Sequence, residues 1–180
     1  LALARGFGVQ MLTAWWEELT AAEPMPLHRA PDVLPSTGLP EPAAALAAGI
    51  GRTVAQLDAE AAAYQIGLTY TGMLPPEHRA AHGIYYTPPA LTARLIEQAG
   101  VAGVDWTAAR ILDPACGGGA FLTPVARRII QSLPDCAPAI LMHNLATRLR
   151  GYEIDPFGAW LAQAALDAML LPLARKAARR

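Results

Sequence analysis

The run Asp113-Pro114-Ala115-Cys116-Gly117-Gly118-Gly119-Ala120-Phe121 constrains the fold of this chain more than any other stretch. Three successive glycines remove Cβ atoms where the backbone must turn sharply, and they let a ligand lie against it. Upstream, Arg110-Ile111-Leu112 has the character of a short buried strand. Downstream, residues 120–132 carry helical periodicity, with Pro124 placed in the first turn where its missing N–H costs little. A second strand is expected over Leu149 to Ile154, with Glu153 at its end. Asp155-Pro156 then opens a capped helix whose apolar stripe is Phe157, Trp160, Leu161, Ala164, Ala165 and Ala168. Strand, glycine turn, helix, strand and acid together make one βαβ unit, which places the chain in the α/β class.

The front of the chain reads differently. Residues 8–22 have apolar positions at helical spacing and lead into a linker over about 23–42 that contains Pro24, Pro26, Pro31, Pro35, Pro40 and Pro42. Helical patterning returns from Ala43 to about Leu68. Residues 1–80 are therefore expected to be a helical appendage, and residues 81–180 a partial ligand-binding domain. At the junction, Thr87-Pro88-Pro89 is expected to cap a helix that Gly100 closes. The free amides and hydroxyl of such a helix start suit an anion such as a carboxylate.

Composition bounds the function classes. Hydrophobic residues make up 53% of the 180, but Ala supplies much of that total. Gly, Pro or charge interrupts the apolar stretches before the roughly 18 residues of a membrane span, so none is expected. The two cysteines, Cys116 and Cys136, support neither a disulfide framework nor a zinc site, which fits a reducing cytoplasm. A net charge of -1 provides no global basic field for gripping nucleic acid. Leu1 is not an initiator Met, and a partial chain is expected.

Taken in order, YYTPP at 85–89, DPACGGGAF at 113–121 and GYEIDP at 151–156 closely resemble the amino-methyltransferases of bacterial restriction-modification systems. The closest likeness is to the adenine-N6-specific DNA methyltransferases whose cofactor motifs come first in the chain. The resemblance covers about residues 64–170, including YTGMLPPEHR at 70–79. It implies a partial Rossmann-like S-adenosylmethionine-dependent methyltransferase fold over 81–180, preceded by the helical segment.

The same resemblance implies a role for each matching residue. Tyr86 and Thr87 would meet the methionine end of S-adenosylmethionine. Asp113, Pro114, Ala115, Cys116, Gly117 and Gly119 would wrap its centre, with Cys116 as packing and Phe121 behind. Glu153 would hold the ribose, since an acceptor-only carboxylate can take both hydroxyl donors. Ile154 would lie against the adenine, and Asp155 would mainly cap the next helix. Neither Pro-Pro site, LPPE at 74–77 or TPPA at 87–90, matches the (N/D/S)PP(Y/F/W) segment that holds the target amine. The catalytic segment is accordingly expected beyond Arg180, with no catalytic or metal-binding residue in this chain.

Double-stranded DNA would be the substrate of the complete enzyme, with a restriction or specificity subunit, or a fused domain, as partner. An RNA or protein-glutamine methyltransferase and a non-catalytic remnant are the alternatives. Arg127, Arg128, Arg175, Lys176, Arg179 and Arg180 are expected to be solvated helix residues more than phosphate contacts.

Overall fold

The structure is a computed structural model that describes residues 1–34 and 38–178. Among these there are eight helices and one two-stranded sheet: α1 (Ala2–Leu19), α2 (Glu41–Val54), α3 (Ala59–Gly72), α4 (Pro76–His82), α5 (Pro89–Val101), β1 (Ile111–Asp113), α6 (Leu122–Ser132), α7 (Pro138–Arg148), β2 (Leu149–Gly151) and α8 (Pro156–Ala178). Pro35, within the expected linker, and Arg179 and Arg180 lie outside the described residues.

The local reasons for these elements are legible residue by residue. The single helix expected over 43–68 is two helices, because the Asp58 carboxylate accepts the Glu60 and Ala61 amides at 3.0 and 2.9 Å and starts α3 afresh. Pro-Pro pairs open α4 and α5, and no side chain caps either one, so Thr87 precedes α5 without serving as its N-cap. Gly100 lies inside α5. α4 ends on Gly83 at φ +61, the left-handed conformation that glycine adopts without strain. Two helices were not expected, α4 and α7, the latter running directly into β2.

Two apolar cores organise the chain. The larger joins α1, α2, α3 and α8 around Met11, Leu12, Trp15, Ile66, Tyr70, Phe157 and Leu161, all fully buried. Burying each such side chain contributes about 1.5–3 kcal/mol. α1 and α2 approach so closely that a Cβ on Gly51 would collide with the Met11 carbonyl oxygen. α8 and Ile84 pack into the same core as the front helices. The second core gathers Trp106, Val125, Ala126, Ile129 and Leu145 beside the sheet.

α8 is, by length and composition alone, apolar enough to cross a membrane, where the sequence reading expected no such helix; half of its most apolar window is buried inside the protein. The buried half packs against α1, α3, α6 and α7.

β1 and β2 are parallel, in the register Ile111↔Leu149, Leu112↔Arg150 and Asp113↔Gly151. Arg148 ties the sheet to the loop before β1, donating to the carbonyls of Trp106, Thr107 and Ala109 at 2.6, 3.0 and 2.8 Å. The expected Rossmann-like α/β fold is overturned: helix takes 63% of the chain and strand only 3%. The second strand stops at Gly151, three residues early, because Glu153 turns back to bond the glycine loop. With three residues per strand and one partner each, the sheet cannot form the central layer of a domain. The alanine-rich helices pack on one another instead.

Candidate functional site

The glycine loop, residues 114–121, runs from β1 to α6 and meets the end of β2. Tyr152 donates its amide to the Asp113 carbonyl at 2.9 Å, and Cys116 donates to the Tyr152 carbonyl at 2.9 Å. These two bonds carry the parallel pairing past the strands and bring Glu153 over the loop. One Glu153 oxygen, Oε2, accepts the Gly117 amide at 2.8 Å, and the other, Oε1, accepts the Asp155 amide at 2.8 Å. A carboxylate offers about four acceptor sites, so roughly two remain for a ligand.

The three glycines are required for three different reasons. Gly117 sits at φ +51 with open space where a Cβ would point. Gly118 has no such conformation, but a Cβ there would stand 2.5 Å from Tyr86 Cε1. Gly119 combines both constraints, with φ +83 and the Ala162 Cα 3.1 Å from its added Cβ. Close approach of α8 also explains Gly158, whose Cβ would come within 3.1 Å of Glu153 Cγ.

Beneath the loop lies a buried polar node. Asp155 starts α8 and accepts the Gly158 amide at 3.1 Å through Oδ2 and the Tyr70 hydroxyl at 3.2 Å through Oδ1. Arg5, from α1, pairs with the same carboxylate at 3.5 Å. Burial, then the Asp155 charge, push the Tyr70 hydroxyl well above its ordinary pKa. Burial likewise raises the Tyr86 phenol, helped by Asp155, and its hydroxyl oxygen is buried with no hydrogen-bond partner in the protein. Burial, followed by Asp113 and Glu153, raises Cys116 to about 11, so it is a neutral thiol at physiological pH and no nucleophile.

The sequence-predicted residues converge in part. Tyr86, Pro114, Ala115, Gly117, Glu153 and Ile154 line one cavity of about 190 Å³, whose other wall is the segment 82–86. Thr87 and Gly119 line a smaller cavity of about 20 Å³ behind the Tyr86 ring, together with Glu60 and Tyr64 of α3. Asp113 and Phe121 are not part of either. They face a separate apolar groove of about 300 Å³ beside β1, which Pro114 also touches. Cys116 packs under the loop with Leu122 and Ala162.

His82, Tyr85 and Gly158 also line the larger cavity, and sequence reasoning did not single them out. The doublet Tyr85-Tyr86 was the available signal, since two adjacent residues of an extended segment point to opposite sides. Of the basic residues, Arg127 pairs with Glu60 at 2.9 Å and Arg175 with Glu23 at 2.9 Å. Comparison with protein-family models, with curated proteins and with solved structures returned no match.

Proposed function

We propose that the cavity between residues 82–86 and the Gly117–Glu153 pair binds S-adenosylmethionine, and that this chain is the cofactor-binding part of an adenine-N6 DNA methyltransferase. The observation that carries the reading is convergence. Three separate segments, carrying Tyr86, Gly117 and the adjacent pair Glu153 and Ile154, line one cavity of about 190 Å³.

The residues present fit the group. Glu153 keeps acceptor capacity after its two backbone bonds, as vicinal ribose hydroxyls require. The buried Tyr86 hydroxyl lacks a partner, which a polar ligand atom would supply. Exposed Ile154 offers an apolar face to a base. When bound, S-adenosylmethionine supplies a methyl group activated by its sulfonium centre. The chain's own contribution is to bind and orient: Glu153 would hold the ribose, Gly117 keeps the loop free of side chains, and Tyr86 would meet the methionine end. Methyl transfer itself needs a segment that holds the target amine, which neither LPPE at 74–77 nor TPPA at 87–90 can provide. In the complete enzyme that amine would belong to a base turned out of duplex DNA, at a cost of a few kcal/mol.

Calorimetric titration of the 180-residue chain with S-adenosylmethionine tests the reading. Saturable binding is expected, weakened at least about tenfold by Glu153→Ala while the circular dichroism spectrum is kept, a loss of about 1.4 kcal/mol. A folded chain that takes up no S-adenosylmethionine refutes it.

A further inference from the structure

The carboxylate of the larger cavity is held by a chain of bonds that starts in the front helices. Each Glu153 oxygen accepts one backbone amide, Oε2 that of Gly117 and Oε1 that of Asp155, both at 2.8 Å. Asp155 also sets the Glu153 stem. Its side chain caps α8 by accepting the Gly158 amide at 3.1 Å, and a Cβ added at Gly158 would come within 3.1 Å of Glu153 Cγ. What fixes Asp155 comes from two other helices. Arg5 of α1 lies 3.5 Å from its Oδ1, and the Tyr70 hydroxyl of α3 donates to the same oxygen at 3.2 Å. We infer that Arg5 is a positioning residue that sets the Glu153 carboxylate through Asp155. The inference rests on the S-adenosylmethionine reading of the cavity, and it makes α1, which lies outside the stretch of resemblance at 64–170, a working part of that site.

Two observations separate this role from that of a plain stabilising ion pair. First, the pair is a poor device for stability. The Asp155 side chain is 3% exposed and that of Arg5 21%, and Arg5 Nε is buried with no hydrogen-bond partner in the protein. Two charges taken out of water for a single contact at 3.5 Å recover little of their desolvation, and an apolar pair of similar volume serves a core as well or better. Second, Asp155 has somewhere else to go. Among the described residues no other cation pairs with it, and Asp155 itself lines the cavity. Freed of Arg5, the carboxylate would turn toward the cavity, and the turn that offers its amide to Glu153 would open.

The test reads Glu153 first without ligand and then with it. In the free chain, hydrogen exchange at the Gly117 amide reports its bond to Glu153, and Arg5→Met is expected to speed it about tenfold while amides within α7 keep their rates. In titrations with S-adenosylmethionine, Arg5→Met should weaken binding about fivefold or more in the wild-type background and less than about twofold in a Glu153→Ala background, as residues coupled through one network do. Arg5→Lys keeps the cation and should recover most of that affinity, since a single contact needs no guanidinium fork. Tyr70→Phe removes the other bond to Oδ1 at constant charge, and it carries the same comparison if Arg5→Met loses its helical circular dichroism. An unchanged Gly117 exchange rate overturns the inference. Equal loss of affinity in both backgrounds also overturns it, because Arg5 would then act by some route other than Glu153, while the cofactor reading stands. If the wild-type chain takes up no S-adenosylmethionine, the cofactor reading falls and Gly117 exchange alone decides the coupling.

Discussion

Replacing Gly118 with alanine tests whether the middle glycine of the loop exists for the sake of Tyr86. An ideal Cβ at 118 stands 2.5 Å from Tyr86 Cε1 and 2.9 Å from Leu161 Cδ2. Carbon atoms pack at about 3.5–4.0 Å, so the ring must retreat by roughly 1 Å. Gly67 on α3 abuts the same ring edge, and a Cβ there would also fall 2.5 Å from Cδ1 and Cε1. With backbone on both sides the ring has little room to yield, whereas the end of Leu161 can rotate away. Overpacking of this kind costs about 1–3 kcal/mol. We expect about 2 kcal/mol for Gly118→Ala, a fall in melting temperature of about 4–8 °C for a chain of this size. Gly118 is not in the left-handed region, so no backbone strain adds to that figure. A double-mutant cycle isolates the contact. In a Tyr86→Ala background, urea unfolding should show Gly118→Ala costing less than about 0.5 kcal/mol, a coupling of at least about 1.5 kcal/mol. Equal costs in both backgrounds would refute the assignment of Gly118 to the Tyr86 ring.

Gly117→Ala places a side chain at φ +51 in open space, so it should cost about 1–2 kcal/mol of stability by equilibrium unfolding and weaken S-adenosylmethionine binding by a larger free energy. Equal losses would mean the glycine serves only its own backbone conformation. Cys116 in the folded chain titrates near 11 against an ordinary value of 9.0. The unfolded chain therefore releases that proton first, and the thiol's contribution is whole below about 9 and is lost as pH rises toward about 11, by up to about 2–3 kcal/mol. Urea unfolding at pH 8.5 and 11, with Cys116→Ala lacking that increment of loss, checks it. Arg148→Lys cannot reproduce the fork that reaches three carbonyls of residues 106–109, and a loss of about 2 kcal/mol in thermal unfolding is expected. An unchanged melting temperature would show that the loop before β1 holds without it.

The sequence by itself determined the local events around the glycine loop. A short strand around Arg110 to Leu112, a tight turn over the three glycines, a helix over about 120–132, a strand from Leu149 and a helix capped by Asp155 follow from short-range chemistry, and the structure holds them within a residue or two. Glycine permits the left-handed region, proline sets a helix start, and a side-chain oxygen caps free amides, whatever surrounds them. Tertiary structure decided the architecture. Strand pairing and helix packing depend on which apolar faces find each other across long separations. α8 found α1 and α3, so the front helices became part of the main core and the two strands stayed a small parallel pair. Tertiary structure also sorted the predicted site. Glu153 reached Gly117 across 36 positions, Tyr86 was wedged against Gly67 and Gly118, and Asp113 and Phe121 were turned to another groove. Spacing along a chain says which groups can share a turn; only packing says which can share a cavity.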